Sequence, residues 1–172
     1  MVEADTLRTA TPDDEREVTQ LLTASYPVLM KGAYEEAVLE RALPLMTKAN
    51  PTLLASGTFY LAETLDGEVV GCGGWTKERP GSDEIEDGLA HIRHFATHPA
   101  WTRKGVGKSI FNHCRKQAGK AGFTCLEVYT SLNAELFYQS VGMKSVGPFD
   151  VPMGEGLNFP SVRMIGAINS AP

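Results

Sequence analysis

The segment from residue 89 to residue 121 constrains the fold most strongly, because it joins a strand pattern directly to a helix pattern. Leu89–Thr97 alternates between the two faces of a strand, and HisPro at 98–99 ends that alternation. After a short loop, apolar side chains recur at helical spacing over 105–121 and fall on one stripe. A strand followed by an amphipathic helix predicts a sheet that carries a helix on its face.

Strand and helix patterns continue along the rest of the chain. We expect further strands over 6–10, 58–64, 68–75, 123–129, 143–146 and 161–168. We also expect three further helices, of which one begins at 11–14, one covers 34–43 and one covers 134–141. AspGly at 66–67, between two of these strands, is a strong hairpin signal. This order predicts a mixed α/β sheet with helices on its faces, and 172 residues suit a single domain over 1–172.

Composition excludes several classes of protein. Hydrophobic residues make up 42% of the chain and charged residues 22%, which is typical of a globular domain and not of a disordered chain. No apolar run approaches the roughly 18 residues that span a bilayer, and the acidic N-terminus does not look like a secretory signal. Cys72, Cys114 and Cys125 fit neither a disulfide framework nor a CxxC metal site. We therefore expect a cytoplasmic protein with no membrane partner.

The charges are divided unevenly along the chain. Residues 1–88 carry 7 Lys and Arg against 17 Asp and Glu, a balance of −10, whereas residues 89–172 carry 9 against 4, a balance of +5. Between Gly88 and Leu126 there is no acidic residue. This asymmetry indicates either an anionic ligand for the second half or a solvated helix face. Nucleic acid is not the expected partner, because the first half is acidic, the pI is about 5.4 and no aromatic residues interleave the cations.

The loop at 98–109 has the composition of a diphosphate site. The first turn of a helix has free N–H groups and the positive end of the helix dipole. Gly105 and Gly107 let a phosphate approach the backbone, and Arg103, Lys104 and Lys108 add positive charge. A nucleotide-triphosphate P-loop is the competing interpretation of GlyLysSer at 107–109. It is disfavoured because that motif needs Gly at 102, where this chain has Thr, and because the next strand does not end in an Asp for magnesium.

These residues resemble motif A of the GNAT superfamily of N-acetyltransferases, in which the loop holds the diphosphate of acetyl-CoA. Gly105, Val106 and Gly107 match the second half of the family pattern (Gln/Arg)-x-x-Gly-x-(Gly/Ala), whereas its first position falls on Thr102, whose hydroxyl can still donate to phosphate. Residues 68–75 resemble the family's third strand, and 133–143 resemble its motif B. The resemblance covers about 58–146. It implies a mixed, mostly antiparallel twisted sheet of about seven strands flanked by helices.

The resemblance also implies an activity and a set of cofactor contacts. The expected reaction is transfer of the acetyl group of acetyl-CoA to a primary amine of a small molecule or peptide, by direct attack in a ternary complex. The alternative is a non-catalytic acetyl-CoA-binding module of the same fold. The implied cofactor contacts are the main chain of Phe95, Ala96 and Thr97 for the pantetheine arm, then Arg103, Lys104, Gly105, Val106, Gly107 and Lys108 for the diphosphate, and Asn133. Asn133 is also a good helix N-cap, and Ser131 is either a cofactor contact or a turn residue.

Proton transfer needs an acid and a base. Tyr138 matches the family tyrosine that protonates the departing thiolate, and a phenol is a sensible donor at neutral pH; a packed helix aromatic is the alternative. The base stays open between His91, Glu127 and water. We expect no metal, because the histidines at 91, 94, 98 and 113 lack matching cysteine or carboxylate ligands.

Acceptor specificity in the superfamily lies outside the cofactor core, which here means about 25–50, 77–88 and 148–163. These segments hold the following aromatic and acidic residues: Tyr26, Tyr34, Glu35, Glu36, Glu40, Asp83, Glu84, Glu86 and Asp87. An acidic surface would attract a cationic amine, although surface acids are commonly just solvated. The resemblance is also compatible with a homodimer, since relatives often dimerise through their sheets or C-terminal strands.

Overall fold

Seven strands pair into one sheet in the order β1-β2-β3-β4-β5-β7-β6 in the computed structural model, which describes residues 6–168. The strands are β1 (Thr6–Thr9), β2 (Phe59–Glu63), β3 (Val69–Thr76), β4 (Leu89–Thr97), β5 (Cys125–Ser131), β6 (Lys144–Pro152) and β7 (Asn158–Ala167). The helices are α1 (Glu15–Leu29), α2 (Glu36–Met46), α3 (Pro51–Leu54), α4 (Val106–Lys120) and α5 (Glu135–Ser140). None of these helices is long and apolar enough to cross a membrane.

The pair β4–β5 is parallel, whereas the other neighbours in this sheet are antiparallel. Their pairing joins Leu89, Ala90 and His91 to Cys125, Leu126 and Glu127. Both strands continue beyond His91 and Glu127 without pairing to each other. A gap therefore opens between β4 and β5 at their C-terminal ends, and the prediction of a mixed, mostly antiparallel sheet is confirmed.

A bulge in β4 changes which side chains face α4. The register between β3 and β4 shifts between Cys72 and Gly74, and His94 on β4 has a φ of +50°. Before the bulge Ala90 and Ile92 pack into the core on the α4 side, so the alternation puts His91 on the opposite face. After the bulge Phe95 returns to the α4 side, where it packs against the same core. The bulge therefore leaves the side chains of His91 and Phe95 on opposite faces of the sheet.

The apolar stripe of α4 is buried against the sheet, as its spacing predicts. Val106, Ile110, Phe111, Cys114 and Ala118 form this buried face. The helix lies close to β3 because Gly71 has no side chain: a Cβ there would lie 2.4 Å from Cγ1 of Val106. The close approach fixes the N-terminal turn of α4 beside the strands that part.

Most predicted elements are present with ends shifted by a few residues, and two differences have clear causes. The short helix α3 lies in a stretch where too few residues show a period for a prediction. The strand predicted over 143–146 extends to Pro152, through Gly147 and Pro148. Gly and Pro usually end a strand, but β6 is at the edge of the sheet, where a residue without an N–H is tolerated.

Candidate active site

The loop that enters α4 has the backbone geometry of an anion site. A 3-10 turn at Pro99–Trp101 follows β4, and then Arg103 and Gly105 take left-handed conformations with φ of +62° and +84°. Gly105 is the N-cap of α4 and offers no side-chain cap, and the first turn carries no acidic residue. The N–H groups of that first turn therefore stay available to a ligand, beside the positive end of the helix dipole.

The cations of this loop are exposed, and its other residues have more specific placements. Arg103 and Lys108 extend into solvent, as does Lys104, whose Nζ lies 5.2 Å from the centre of the Trp101 ring. Val106 is only 2% exposed, and its side chain packs in the core beneath α4. Thr102 donates its hydroxyl proton to the carbonyl of Pro99 at 3.1 Å, so this proton is already used within the loop.

Gly107 has a packing role that its motif position does not indicate. A Cβ at this position would lie 3.1 Å from ring atoms of Phe137 on α5 and 3.7 Å from Oγ1 of Thr97 on β4. A side chain at 107 would therefore push α5 away from the start of α4. The absence of a side chain at Gly107 therefore lets α4, α5 and β4 pack closely beside the gap.

The backbone of β4 alternates between β3 and the gap. The N–H of His98 donates to the carbonyl of Val70 at 2.8 Å, so the alternation of an antiparallel ladder turns the backbone groups of Ala96 toward β3 as well. The amide and carbonyl of Ala96 are therefore turned toward β3, and the main-chain contacts of Phe95, Ala96 and Thr97 with the cofactor stay a prediction. Phe95 and Thr97 direct their backbone groups into the gap.

Two hydroxyl groups of α1 already bind that exposed edge of β4. Tyr26 donates its phenolic proton to the carbonyl of Phe95 at 2.9 Å, and Ser25 donates to the carbonyl of Thr97 at 2.7 Å. These two bonds use the carbonyls of Phe95 and Thr97, so the N–H groups of the same residues remain as donors for a ligand. The pattern of α1 did not predict these contacts, because they join residues 69 and 72 positions apart.

Tyr138 lies in an aromatic cluster on the α4 side of the gap. Its ring makes edge contacts with Phe95, Phe111 and Phe137, and the residue is 4% exposed. Its hydroxyl makes no hydrogen bond within residues 6–168, and it keeps some contact with solvent. Burial raises the pKa of Tyr138 well above its usual value, which keeps the phenol protonated at neutral pH. The packed-aromatic interpretation and the proton-donor interpretation are therefore compatible.

Asn133 is exposed and does not cap α5. It lies inside a 3-10 turn at Leu132–Ala134, and the N-cap position of α5 is held by Ala134. The alternative role of Asn133 as an N-cap is therefore wrong, and its contact with the cofactor stays a prediction. Ser131 is the last residue of β5 and precedes that turn.

On the opposite face of the sheet, His91 and Glu127 meet at the last residue pair before β4 and β5 part. Their exposed fractions are 1% and 0%, and Nδ1 of His91 lies 3.0 Å from Oε1 of Glu127. Arg163 on β7 donates from Nε to Oε2 of Glu127 at 2.6 Å. Burial lowers the pKa of His91 below its usual value, and the Glu127 carboxylate opposes that shift. The two candidate bases are thus one connected group.

A pocket of about 340 Å³ adjoins this group. Its lining residues are Arg79, Glu84, Ile85, Glu86 and His91. Four of the five belong to the loop over 77–88, which Arg79 and Glu84 close through an ion pair of 3.1 Å. Two of the acids expected on the acceptor side do border a cavity here, and an arginine accompanies them.

The two tyrosines expected near the acceptor have structural partners. Tyr26 binds β4, as described above. Tyr34 donates to the carbonyl of Pro160 at 2.6 Å and accepts from the N–H of Leu132 at 2.8 Å, while its ring stacks on Phe159. Within residues 6–168, no three potential metal ligands lie close enough to hold an ion.

Comparison with known proteins identifies the family. The model described as an acetyltransferase (GNAT) domain matches residues 55–144, which is more than half of the chain. The chain belongs to the GNAT family of acetyltransferases. The match spans β4, the loop at 98–109 and α5, so it includes the α4 side of the gap in this GNAT protein. No curated protein matches the chain.

Solved structures share the fold of this GNAT protein over nearly its whole length. A GCN5-related N-acetyltransferase from Rhodopseudomonas palustris is 22% identical, with a TM-score of 0.77 over 97% of this chain and 96% of that one. The PaiA N-acetyltransferase from Thermoplasma acidophilum, solved in complex with coenzyme A, is 17% identical, with a TM-score of 0.68 over 94% and 98%. N-acetylglutamate synthase from Neisseria gonorrhoeae, complexed with coenzyme A and N-acetyl-glutamate, is 17% identical, with a TM-score of 0.62 over 95% of this chain and 35% of that one.

Proposed function

We propose that this GNAT protein is an N-acetyltransferase that moves the acetyl group of acetyl-CoA to a primary amine of a small molecule or peptide, by direct attack in a ternary complex. The observation that carries the proposal is the opening of the sheet between β4 and β5 directly beside the N-terminus of α4. An extended arm fits such a gap, and a diphosphate fits the free N–H groups and cations at its side.

The residues around the gap fit the chemical parts of acetyl-CoA. The diphosphate would be held by the amides of Val106, Gly107 and Lys108 and by the exposed cations of the loop. The pantetheine arm would lie along the edge of β4 at Phe95 and Thr97. Bound acetyl-CoA supplies the acetyl group as a thioester. The coenzyme A complexes of the Thermoplasma acidophilum and Neisseria gonorrhoeae proteins support a co-substrate of this class.

Two groups of this chain would then act on the thioester. An N–H of Phe95 or Thr97 can donate to the carbonyl oxygen, where negative charge develops during attack. Tyr138 can donate its proton to the departing sulfur, because its hydroxyl is protonated at neutral pH and keeps some access to solvent. Proton donation and charge stabilisation together favour a catalytic site over a module that only binds acetyl-CoA.

A titration followed by a reaction screen tests this proposal. Acetyl-CoA is titrated into the protein by calorimetry, and free thiol is then measured with a panel of amines that includes amino acids, a polyamine, an amino sugar and a short peptide. We expect binding, and thiol release that depends on at least one amine. Binding without release on any amine would favour the non-catalytic module, and absence of binding would reject the role of the loop.

A further inference from the structure

We propose that the acceptor of this GNAT protein is a free α-amino acid, whose carboxylate is bound by Arg93 and Arg79 beside the gap between β4 and β5. The inference deepens the proposed function and rests on it, because it names the acceptor class of the same acetyl transfer. It narrows the open set of small-molecule and peptide amines to acceptors that carry one group of each charge close together.

Arg93 on β4 has one side of its guanidinium group open to a ligand. The residue is half-buried and lies on the same face of the sheet as His91, opposite α4. Glu78 attracts its charge, but Arg93 forms no ion pair within residues 6–168. Its Nη1 donates to Oγ1 of Thr76 at 3.1 Å, whereas Nε and Nη2 have no partner there and keep some contact with solvent. Nε and Nη2 form the fork that binds both oxygens of a carboxylate.

Thr76 places this fork near the start of the gap. It pairs across β3 and β4 with His91, which is the last residue of β4 that is joined to β5. Its hydroxyl donates to the carbonyl of Glu78 at 2.8 Å, so the group that anchors Arg93 is itself held in place. Neighbouring strands lie about 4.8 Å apart, so a carboxylate on Arg93 would lie roughly one strand spacing from the gap. An amine that is one carbon atom away from that carboxylate can reach the gap.

Arg79 adds a second guanidinium group from the loop over 77–88. A bridge between Glu78 and Ile85, and a hydrogen bond of 2.9 Å from the N–H of Arg79 to the carbonyl of Glu84, hold this loop as a hairpin. Arg79 lines the pocket of about 340 Å³, and Glu84 binds its Nη1 at 3.1 Å. Its Nε is sealed from solvent, and its Nη2 has no hydrogen-bond partner within residues 6–168. Arg79 can therefore offer a ligand one nitrogen atom.

The charges of the pocket match a molecule that carries both signs. Arg79 and Arg93 both lie close enough to His91 for their charges to lower its pKa, so the two cations act on the same place. Glu86 also lines the pocket, and it forms no ion pair among the described residues. An ammonium group is attracted to this acid, and a carboxylate is attracted to the two arginines. A polyamine would leave the arginines without a partner, whereas an amino acid supplies a partner for each charge.

Matched acceptors test the carboxylate without any change to the protein. Each standard amino acid is compared with its α-amide in the thiol-release assay at saturating acetyl-CoA. Hydrogen bonds to a charged group are the strong ones, so kcat/KM should be about 10- to 100-fold higher for the best amino acid than for its amide. The amine of the amide is less basic and more of it is neutral at pH 7.5, so amine basicity would produce the opposite preference.

Variants of the two arginines test which groups bind the carboxylate. Arg93→Gln should raise KM for the best amino acid by about 30-fold and leave the kinetics of its amide within about twofold of wild type. Arg93→Lys keeps the charge without the fork, so it should restore only part of the preference. Arg79→Gln should raise the same KM by about fivefold, because it removes a single exposed donor.

Arg16→Gln is the matched control for these variants. Arg16 is an exposed arginine at the start of α1, and its replacement should leave the preference for the acid unchanged. Unchanged kinetics with the amide show that Arg93→Gln and Arg79→Gln are folded. A wild-type preference that survives in both variants would overturn the role of the arginines. Equal kcat/KM for acids and amides, or acetylation of polyamines and peptides alone, would overturn the acceptor class while the proposed function stands.

NMR of the arginine side chains separates a failure of this inference from a failure of the proposed function. The protein is saturated with coenzyme A, which carries no acetyl group, and is titrated with the standard amino acids and with their amides. We expect the Nε–H resonance of Arg93 to shift with at least one amino acid and not with its amide. If no amine causes thiol release, the proposed function fails, and this shift would still support the carboxylate site. No shift with any amino acid would overturn it.

Discussion

The two faces of the sheet beside the β4–β5 gap are built in opposite ways. On the α4 side, the groups that suit acetyl-CoA follow one another within 95–108, and its cations are exposed. On the other side, His91, Glu127 and Arg163 come from three strands, and the first two are almost completely buried. A polyanion can be held by a contiguous, solvated loop, whereas a buried group of ionisable side chains needs partners that only the folded sheet brings together.

Replacing the proposed acid should give the largest effect on the α4 side. Tyr138→Phe keeps the ring in contact with Phe95, Phe111 and Phe137 but removes the proton donor. We expect kcat to fall by about 100-fold, since general acid catalysis contributes at least this much, with acetyl-CoA affinity nearly unchanged. Assays of thiol release measure kcat, and calorimetric titration measures the affinity for acetyl-CoA.

Tyr60→Phe is the matched control for that change. Its hydroxyl accepts a hydrogen bond from Trp75 at 3.2 Å within the core, so the variant should lose about 1 kcal/mol of stability and keep its turnover. Equal turnover in Tyr138→Phe and the wild type would show that Tyr138 is not the proton donor.

The bulge that separates the two faces should make the protein sensitive to acid. Burial lowers the pKa of His94 to about 4. The unfolded chain therefore binds this proton first as the pH falls below about 6.5, and stability decreases between that pH and about 4. His94→Asn removes the titration and tolerates the φ of +50°. Between pH 7 and pH 4, the variant should lose less unfolding free energy than the wild type does, with a difference on the order of 2 kcal/mol.

Denaturant unfolding at a series of pH values measures this difference. His91, whose pKa is also lowered by burial, should leave part of the acid sensitivity in place in the variant. The same pH slope in His94→Asn and the wild type would show that the bulge residue does not contribute to it.

Single cations of the loop should have the smallest effects. Lys108→Ala should weaken acetyl-CoA binding roughly fivefold, because an exposed charge next to a phosphate contributes about 1 kcal/mol and salt screens it. Lys116→Ala, in the middle of the same helix, is the control and should leave the affinity unchanged. Calorimetric titrations at low and high salt compare the two, and equal losses would contradict a specific role for the loop.

The contrast between the faces also explains what could be predicted from the sequence. Periodicity and turn signals predict seven strands in the right order along the chain, because those signals are local. Gly105 and the loop cations are equally local. The pairing of His91 with Glu127 depends on the parallel register of β4 and β5, and the bulge that turns Ala96 toward β3 depends on strand pairing, which periodicity does not contain. Arg163 gives no local signal, since it lies 36 positions from its partner Glu127.

The parallel pair has a mechanical consequence for the molecule. Three residue pairs join β4 to β5, whereas the other neighbouring strands are joined by four to eight. The sheet is therefore least stiff along this line, and β1–β4 can tilt against β5, β7 and β6 by bending few hydrogen bonds. A molecule that contacts both strands would restrain that tilt, so amide hydrogen exchange at Ala90 and Leu126 should slow when the gap is filled.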